Sequence, residues 1–209
     1  MNLVFLGPPG AGKGTQAAVV SQALNVPHIS TGDMFRKAMR EGTPTGLKAK
    51  AFIDQGKLVP DSVTIEMVKE RLSEDDCKNG YLLDGFPRNL DQAEALASFS
   101  ELDAVVDITV ADEKLIARLS GRRFCPKCNG TFHITKLGDS KICPDCGAEL
   151  IQRADDNPAT IANRLSVYHN ETSPLTAYYA QKGLLKQVDG DLPVEEVSSA
   201  ILKALAVEP

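Results

Sequence analysis

The sequence predicts an α/β fold, a parallel sheet with helices on both faces, and three observations carry that prediction. Short apolar runs recur along the chain, helical patterns separate them, and a glycine-rich turn follows the first run directly. Leu3 to Leu6 is apolar and ends on glycine, as a strand buried on both faces should. A helical stretch from about Gly14 to Leu24 comes next. Tyr81 to Leu83 and Val105 to Val110 read as further central strands, and Leu184 to Val188 as a weaker one.

Two segments break the alternation. Thr31 to Val59 reads as two or three short polar helices, after which Pro60 and Asp61 open another. Arg122 to Asn157 holds the paired cysteines, several turn signals and little helical periodicity. Asn157-Pro158 then starts a long helix, with Asn as N-cap and Pro at the first helical position. The predicted organisation is one core (residues 1–29, 60–120 and 158–209) with two inserted lobes, 30–59 and 121–157. There is no internal repeat and no low-complexity tract.

A length of 209 residues suits such a core, and 43% hydrophobic with 24% charged residues is ordinary for a soluble globular protein. The net charge of -5 argues against general affinity for nucleic acid or anionic membranes, so a phosphate site must be built locally. The start, MNLVFLGPPG, is too short and uncharged for a signal peptide, and no apolar run approaches membrane-spanning length. The cytoplasm is the expected compartment, where paired cysteines read as metal or redox chemistry rather than as staples.

Gly7-Pro8-Pro9-Gly10-Ala11-Gly12-Lys13 fits the G-x-x-x-x-G-K core of the phosphate-binding P-loop. Glycines let backbone N–H groups turn toward phosphate oxygens, and the following helix adds the positive end of its dipole. Lys13 is placed to reach the β and γ phosphates. The usual Ser or Thr after the lysine is absent: Gly14 stands there and Thr15 follows. The motif indicates nucleotide phosphate and leaves GTPases, ATPases and kinases open.

Cys125-Pro126-Lys127-Cys128 and Cys143-Pro144-Asp145-Cys146 form two knuckles separated by fourteen residues. Together they offer four thiolates to one tetrahedral ion, with no position left for catalysis, so the metal is expected to be structural. Zinc is the commoner occupant, iron suits the same geometry, and free thiols or two disulfides are the alternatives. The surrounding segment has few large apolar residues, so metal binding would supply its folding energy. His133 has no partner at ligand spacing, and Cys77 reads as structural.

GPPGAGKGTQ, with Gly-Thr after the lysine, resembles the adenylate kinases, in which Gly14 is no departure. The likeness continues through Ile29-Ser30-Thr31-Gly32-Asp33-Met34, Gly56-Lys57-Leu58-Val59 and Leu83-Asp84-Gly85-Phe86-Pro87-Arg88. It resumes at Ser120-Gly121-Arg122-Arg123, Gln152-Arg153-Ala154-Asp155-Asp156 and Asn163-Arg164-Leu165, in order along nearly the whole chain. The resemblance implies reversible transfer of a phosphoryl group, ATP + AMP = 2 ADP, maintaining adenine nucleotide balance. It also implies an AMP-binding lobe at residues 30–59 and a zinc-bearing lid at 121–157, with Mg2+ on the transferred phosphates.

By the same resemblance, Arg36 and Arg88 hold the AMP phosphate, Arg122 works on the ATP side, and Arg153 and Arg164 bridge donor and acceptor. Forked guanidiniums match phosphate oxygens, and phosphoryl transfer relies on positioning and charge neutralisation. The catalytic set is Lys13, Asp84, Arg88, Arg122, Arg153 and Arg164, with Asp84 orienting magnesium through water. Arg123 is left out, because its neighbour fills the family position. Gly10, Ala11, Gly12, Gly14, Thr15, Arg118, Thr131, Phe132 and the main chain at Leu192 complete the ATP side. Thr31 and Gln92 read the AMP base, although Asn89 to Gln92 also has capping-box spacing. Lys57, Leu58 and Val59 frame that pocket by their backbone, with Gly85, Phe86 and Pro87 beside it. Asp155 and Asp156 clasp the lid to the arginines. A monomer is expected. Kinases of the same fold acting on UMP or CMP, or using GTP as donor, are sibling readings. A zinc-ribbon nucleic-acid-binding protein is the different class, and it explains neither the phosphate loop nor the arginines.

Overall fold

The structure, a computed structural model, describes residues 1–206. At its centre β1 (Asn2–Leu6) pairs with β3 (Tyr81–Asp84) on one side and β4 (Ala104–Thr109) on the other. Adding β2 (His28–Ser30) and β7 (Leu185–Asp189) at the edges gives five parallel strands in the order β2-β3-β1-β4-β7. Leu3, Val4, Leu82, Leu83, Val105, Val106 and Ile108 are wholly excluded from solvent, which explains why the central strands read as unbroken apolar runs. Alternate side chains go to opposite faces. Leu3, Phe5, Val106 and Ile108 pack against α1 (Lys13–Leu24), α6 (Asp112–Ser120), α8 (Pro158–Val167) and α10 (Val194–Ala204). Val4, Leu6, Leu83 and Val105 pack against α4 (Asp61–Leu72), α5 (Leu90–Phe99) and α9 (Pro174–Gln181).

Two departures from the sequence reading have physical causes. β2 has three residues and one buried apolar side chain, Ile29, too little for any periodicity to register. The long helix expected from Pro158 ends at Val167, continues as a π-helical turn over Tyr168–Thr172, and restarts as α9. Pro174 has no N–H and its ring clashes with the carbonyl one turn earlier, so the helix widens before it. The start of α8 is as read: Asn157 Oδ1 accepts from Thr160 N at 3.0 Å.

Between β2 and α4 run α2 (Thr31–Arg40) and α3 (Pro44–Ile53), whose Phe35 and Ala49 make a small apolar cluster with Val59. Ser30 Oγ caps α2 by accepting from Asp33 N at 3.3 Å. After α6 the chain forms an antiparallel hairpin of β5 (Arg122–Phe124) and β6 (Thr131–His133), followed by the single turn α7 (Ile134–Leu137). Cys125, Cys143 and Leu150 are the buried centre of this segment. Among the described residues no helix is long and apolar enough to cross a membrane.

Candidate active site

The glycine-rich loop joins β1 to α1. Gly7 has φ 136°, and a Cβ there would lie 2.5 Å from Ile108 O, so only glycine lets the loop leave β1 against β4. Ala11 N donates to Pro8 O at 3.1 Å and closes the turn. No side chain caps the first turn of α1 and no acidic residue sits in it, which leaves its positive end for an anion. Lys13 folds back over the loop, donating to Gly7 O at 2.7 Å and Pro8 O at 2.9 Å. Burial lowers its pKa to about 8; Asp84 opposes that, while Arg88, Arg164 and Arg122 add to it.

Asp84 ends β3, buried, beside the start of α1: its Oδ2 is 3.5 Å from where a Cβ on Gly14 would stand. His28 Nε2, itself buried without a hydrogen-bond partner, lies 3.5 Å from the same oxygen. Burial pushes the Asp84 carboxyl up, but His28, Lys13 and Arg88 outweigh it and hold it below the ordinary range. A hard carboxylate oxygen next to a phosphate loop suits Mg2+.

The arginines converge from distant parts of the chain. Arg122 from β5 and Arg164 from α8 share the fully buried Asp156: Arg122 Nε donates to Oδ2 at 2.8 Å and Arg164 Nη1 to Oδ1 at 3.1 Å. Arg164 Nη1 also pairs with Asp155 Oδ2 at 2.8 Å. Arg36 pairs with Asp33 on its own helix at 2.6 Å. Arg153 lies 4.5 Å from the centre of the Phe124 ring and Arg36 5.9 Å from it, so an aromatic residue the sequence reading did not single out joins the cysteine segment to α2. Burial, then Arg164, lowers Arg88 to about 10. Burial, then Arg36 and Arg122, lowers Arg153 to about 9. Both stay charged at neutral pH; burial is the first cause of the lowering, and neighbouring guanidiniums add to it.

Thr31, Arg36, Lys57, Leu58, Val59, Gly85, Arg88, Gln92 and Arg164 line one open cleft. Gly32, Phe35, Ile53, Gly56, Thr64 and Asp155 line it too. Phe35 stands one helical turn after Thr31, a spacing that the sequence contained. At Gly85, with φ 82°, a Cβ would press within 3.0 Å of Thr31 Oγ1 and 3.1 Å of an Arg88 nitrogen. Phe86 and Pro87, between the cleft-lining Gly85 and Arg88, are buried, and the Phe86 ring belongs to the core with Leu83 and Leu96. Arg153 is outside the cleft wall, stacked on Phe124.

The remaining ATP-side candidates lie outside this cleft. Arg118 donates twice to Gly190 O at 3.0 Å and once to Asp191 at 3.2 Å. Leu192, just after, is exposed, as is Thr131. The Phe132 ring is half-buried and packs against the cysteine cluster.

The four sulfurs of Cys125, Cys128, Cys143 and Cys146 lie within 4.8 Å of one another, with Cys125–Cys146 at 3.4 Å and Cys128–Cys143 at 3.6 Å. Metal–sulfur bonds of about 2.3 Å in a tetrahedron put sulfurs ~3.8 Å apart, so the quartet could hold a metal ion. The Cys128 and Lys127 backbone N–H groups contribute to holding Cys125 at about 6. Cys128 rises to about 12: the Gly130 N–H opposes this, and burial and the neighbouring thiols prevail. Four thiolates this close together would need a cation between them.

A parallel sheet with a glycine-rich phosphate loop, a lysine on that loop and guanidiniums gathered over it defines a nucleotide phosphotransferase. The chain belongs to the adenylate kinase family, whose profile, described as Adenylate kinase, matches residues 5–184. Among curated proteins it is 53% identical to an adenylate kinase of Moorella thermoacetica, over 98% of each chain. It is 52% identical to one of Carboxydothermus hydrogenoformans and 51% identical to one of Clostridium beijerinckii, each over 98% of this chain and at least 98% of the relative.

Proposed function

We propose that this adenylate kinase family member catalyses ATP + AMP = 2 ADP, with AMP in the cleft beside Thr31 and Gln92 and the ATP phosphates on the loop at Gly10–Thr15. The observation that carries the reading is the meeting of Lys13, Arg88, Arg122 and Arg164, the four cations whose charges act on one another beside the loop and cleft. Lys13 exchanges the Gly7 and Pro8 carbonyls for β and γ oxygens as ATP binds. Arg36 and Arg88 hold the AMP phosphate, Arg122 the donor phosphates, and Arg153 and Arg164 the group in flight. Arg122 and Arg164, anchored on Asp155 and Asp156, are ready-made for transition-state charge and need little reorganisation. Mg2+ bound with ATP would supply charge neutralisation at the transferred phosphates, and Asp84 would orient it through water. Arg118, Thr131, Phe132 and the Leu192 main chain border the ATP base.

The helical segment at 30–59 acts as the AMP lobe and 121–157 as a lid that excludes water by closing. The four cysteines would hold Zn2+ as scaffold, leaving it no open position for chemistry. The chain works as a cytoplasmic monomer. The test is a coupled assay with AMP, CMP, UMP and GMP as acceptors and ATP and GTP as donors. AMP with ATP is expected to dominate; a preference for UMP, CMP or GTP would replace this reading by one of the sibling kinases.

A further inference from the structure

Gln92 is held at both ends. Its Oε1 accepts from the Arg88 backbone N–H at 2.8 Å, and its Nε2 donates to Asp61 Oδ1 at 2.6 Å. Asp61 in turn receives both contacts of Asn89 Nδ2, at 3.0 and 3.1 Å. A backbone N–H only donates and a carboxylate only accepts, so the amide has one chemically permitted orientation. Each end has one capacity left: a lone pair on Oε1 and a hydrogen on Nε2. Thr31 is restricted in the same way. Its hydroxyl hydrogen goes to Gly85 O at 2.8 Å, so toward the cleft it offers lone pairs alone.

We propose that Asp61, together with the Arg88 backbone N–H, sets acceptor-base specificity by locking the Gln92 amide so that the cleft takes a 6-aminopurine and refuses a 6-oxopurine. The inference rests on the reading that Gln92 and Thr31 face the acceptor base. The edge of a 6-aminopurine presents an amino donor next to a ring-nitrogen acceptor, which matches the oxygen and N–H of the locked amide. A 6-oxopurine presents the reverse, an oxo acceptor next to a ring N–H, and would need the amide turned over. Turning it would set the amide oxygen against the Asp61 carboxylate and the amide N–H groups against the Arg88 N–H, leaving buried groups unpaired. Thr31 cannot compensate, because it has no hydrogen to give. Asp61 is thus a positioning residue at the first turn of α4, acting through Gln92.

The experiment compares kcat/KM for AMP and for inosine monophosphate, with ATP as donor. IMP differs at the 6-position without adding a 2-amino group. Asp61→Asn keeps the shape but can donate as well as accept, so the AMP:IMP ratio is expected to fall about tenfold, the scale of one charge-assisted hydrogen bond. Asp61→Glu should recover most of the ratio, and Asp61→Ser serves in place of Asn if the latter folds poorly. In a Gln92→Ala background Asp61→Asn should move the ratio no further. An unchanged ratio in Asp61→Asn, or the same fall without Gln92, overturns the proposal. If Gln92→Ala alone leaves the ratio where it was, Gln92 does not read the base, and the functional reading of the cleft fails with it.

Discussion

Lys13 is the residue whose state most depends on what fills the site. Its ammonium rests on two carbonyls of its own loop, and its pKa falls to about 8 because burial and three arginines oppose its charge. An unfolded lysine titrates near 10.4, so between about 8 and 10.4 the unfolded chain holds more protons and this group makes the fold more stable as pH rises. Polyphosphate reverses the balance by favouring the charged amine. At pH 8.5, ADP binding is therefore expected to take up more than about half a proton per chain. Calorimetry in buffers of different ionisation heat reads this directly. Lys13→Met should abolish the uptake and most of the turnover while the fold stays intact; unchanged uptake in that variant would assign the proton to another group. The motif made this lysine visible in the sequence. What lowers its pKa is not local: burial comes first, and Arg88, Arg164 and Arg122, which no local pattern connects to residue 13, add to it.

At the scale of elements, what the sequence revealed follows from burial and from caps. The central strands were legible because both their faces are covered, and β2 was not, because an edge strand of three residues carries no period. The entry to α8 was legible from Asn157-Pro158, while the π-helical turn was not, since it depends on how the helix accommodates Pro174. Asn157 contributes twice, accepting from Thr160 N and donating to Thr160 Oγ1. Asn157→Ala should cost about 1 kcal/mol in denaturant unfolding; no loss would show that the cap is replaced by water. The cysteine segment has a small apolar centre, so a metal bound by its four cysteines would supply much of its order. Metal analysis should give about one zinc per chain, and finding iron would change the ion but not the scaffold role. Cys143→Ser should bind metal poorly, melt earlier and keep measurable activity in the cold, where the segment still closes part of the time. Lost activity with unchanged melting would put the metal in the chemistry instead.

Across the whole molecule, the site is a charge balance between segments far apart in sequence. Arg36, Arg88, Arg122, Arg153 and Arg164 were visible as residue types, but their meeting is a property of the fold, fixed by which strands neighbour β1. Asp156 sits at the junction, wholly buried, with Arg122 from the cysteine segment and Arg164 from the core on its two oxygens. Asp155 carries part of the same load: burial raises its carboxyl, but Arg164, Arg122 and Arg36 hold it low. Its stabilising effect is present above about pH 4 and fades as pH falls toward its lowered pKa. Asp156→Asn keeps the shape and removes the charge, leaving two guanidiniums short of an anion. Breaking a buried pair in this way should cost about 3–5 kcal/mol, or roughly 6–20 °C in Tm for a chain of this size. On the function proposed above, nucleotide phosphates would bring anionic oxygens to the same guanidiniums, so ADP should restore part of the loss. The rise in Tm on adding saturating ADP is then expected to be larger in Asp156→Asn than in the parent, beyond the mass-action stabilisation both share. Equal rises would mean that phosphate and Asp156 do not serve the same arginines, and that the cleft cations are balanced from elsewhere in the fold.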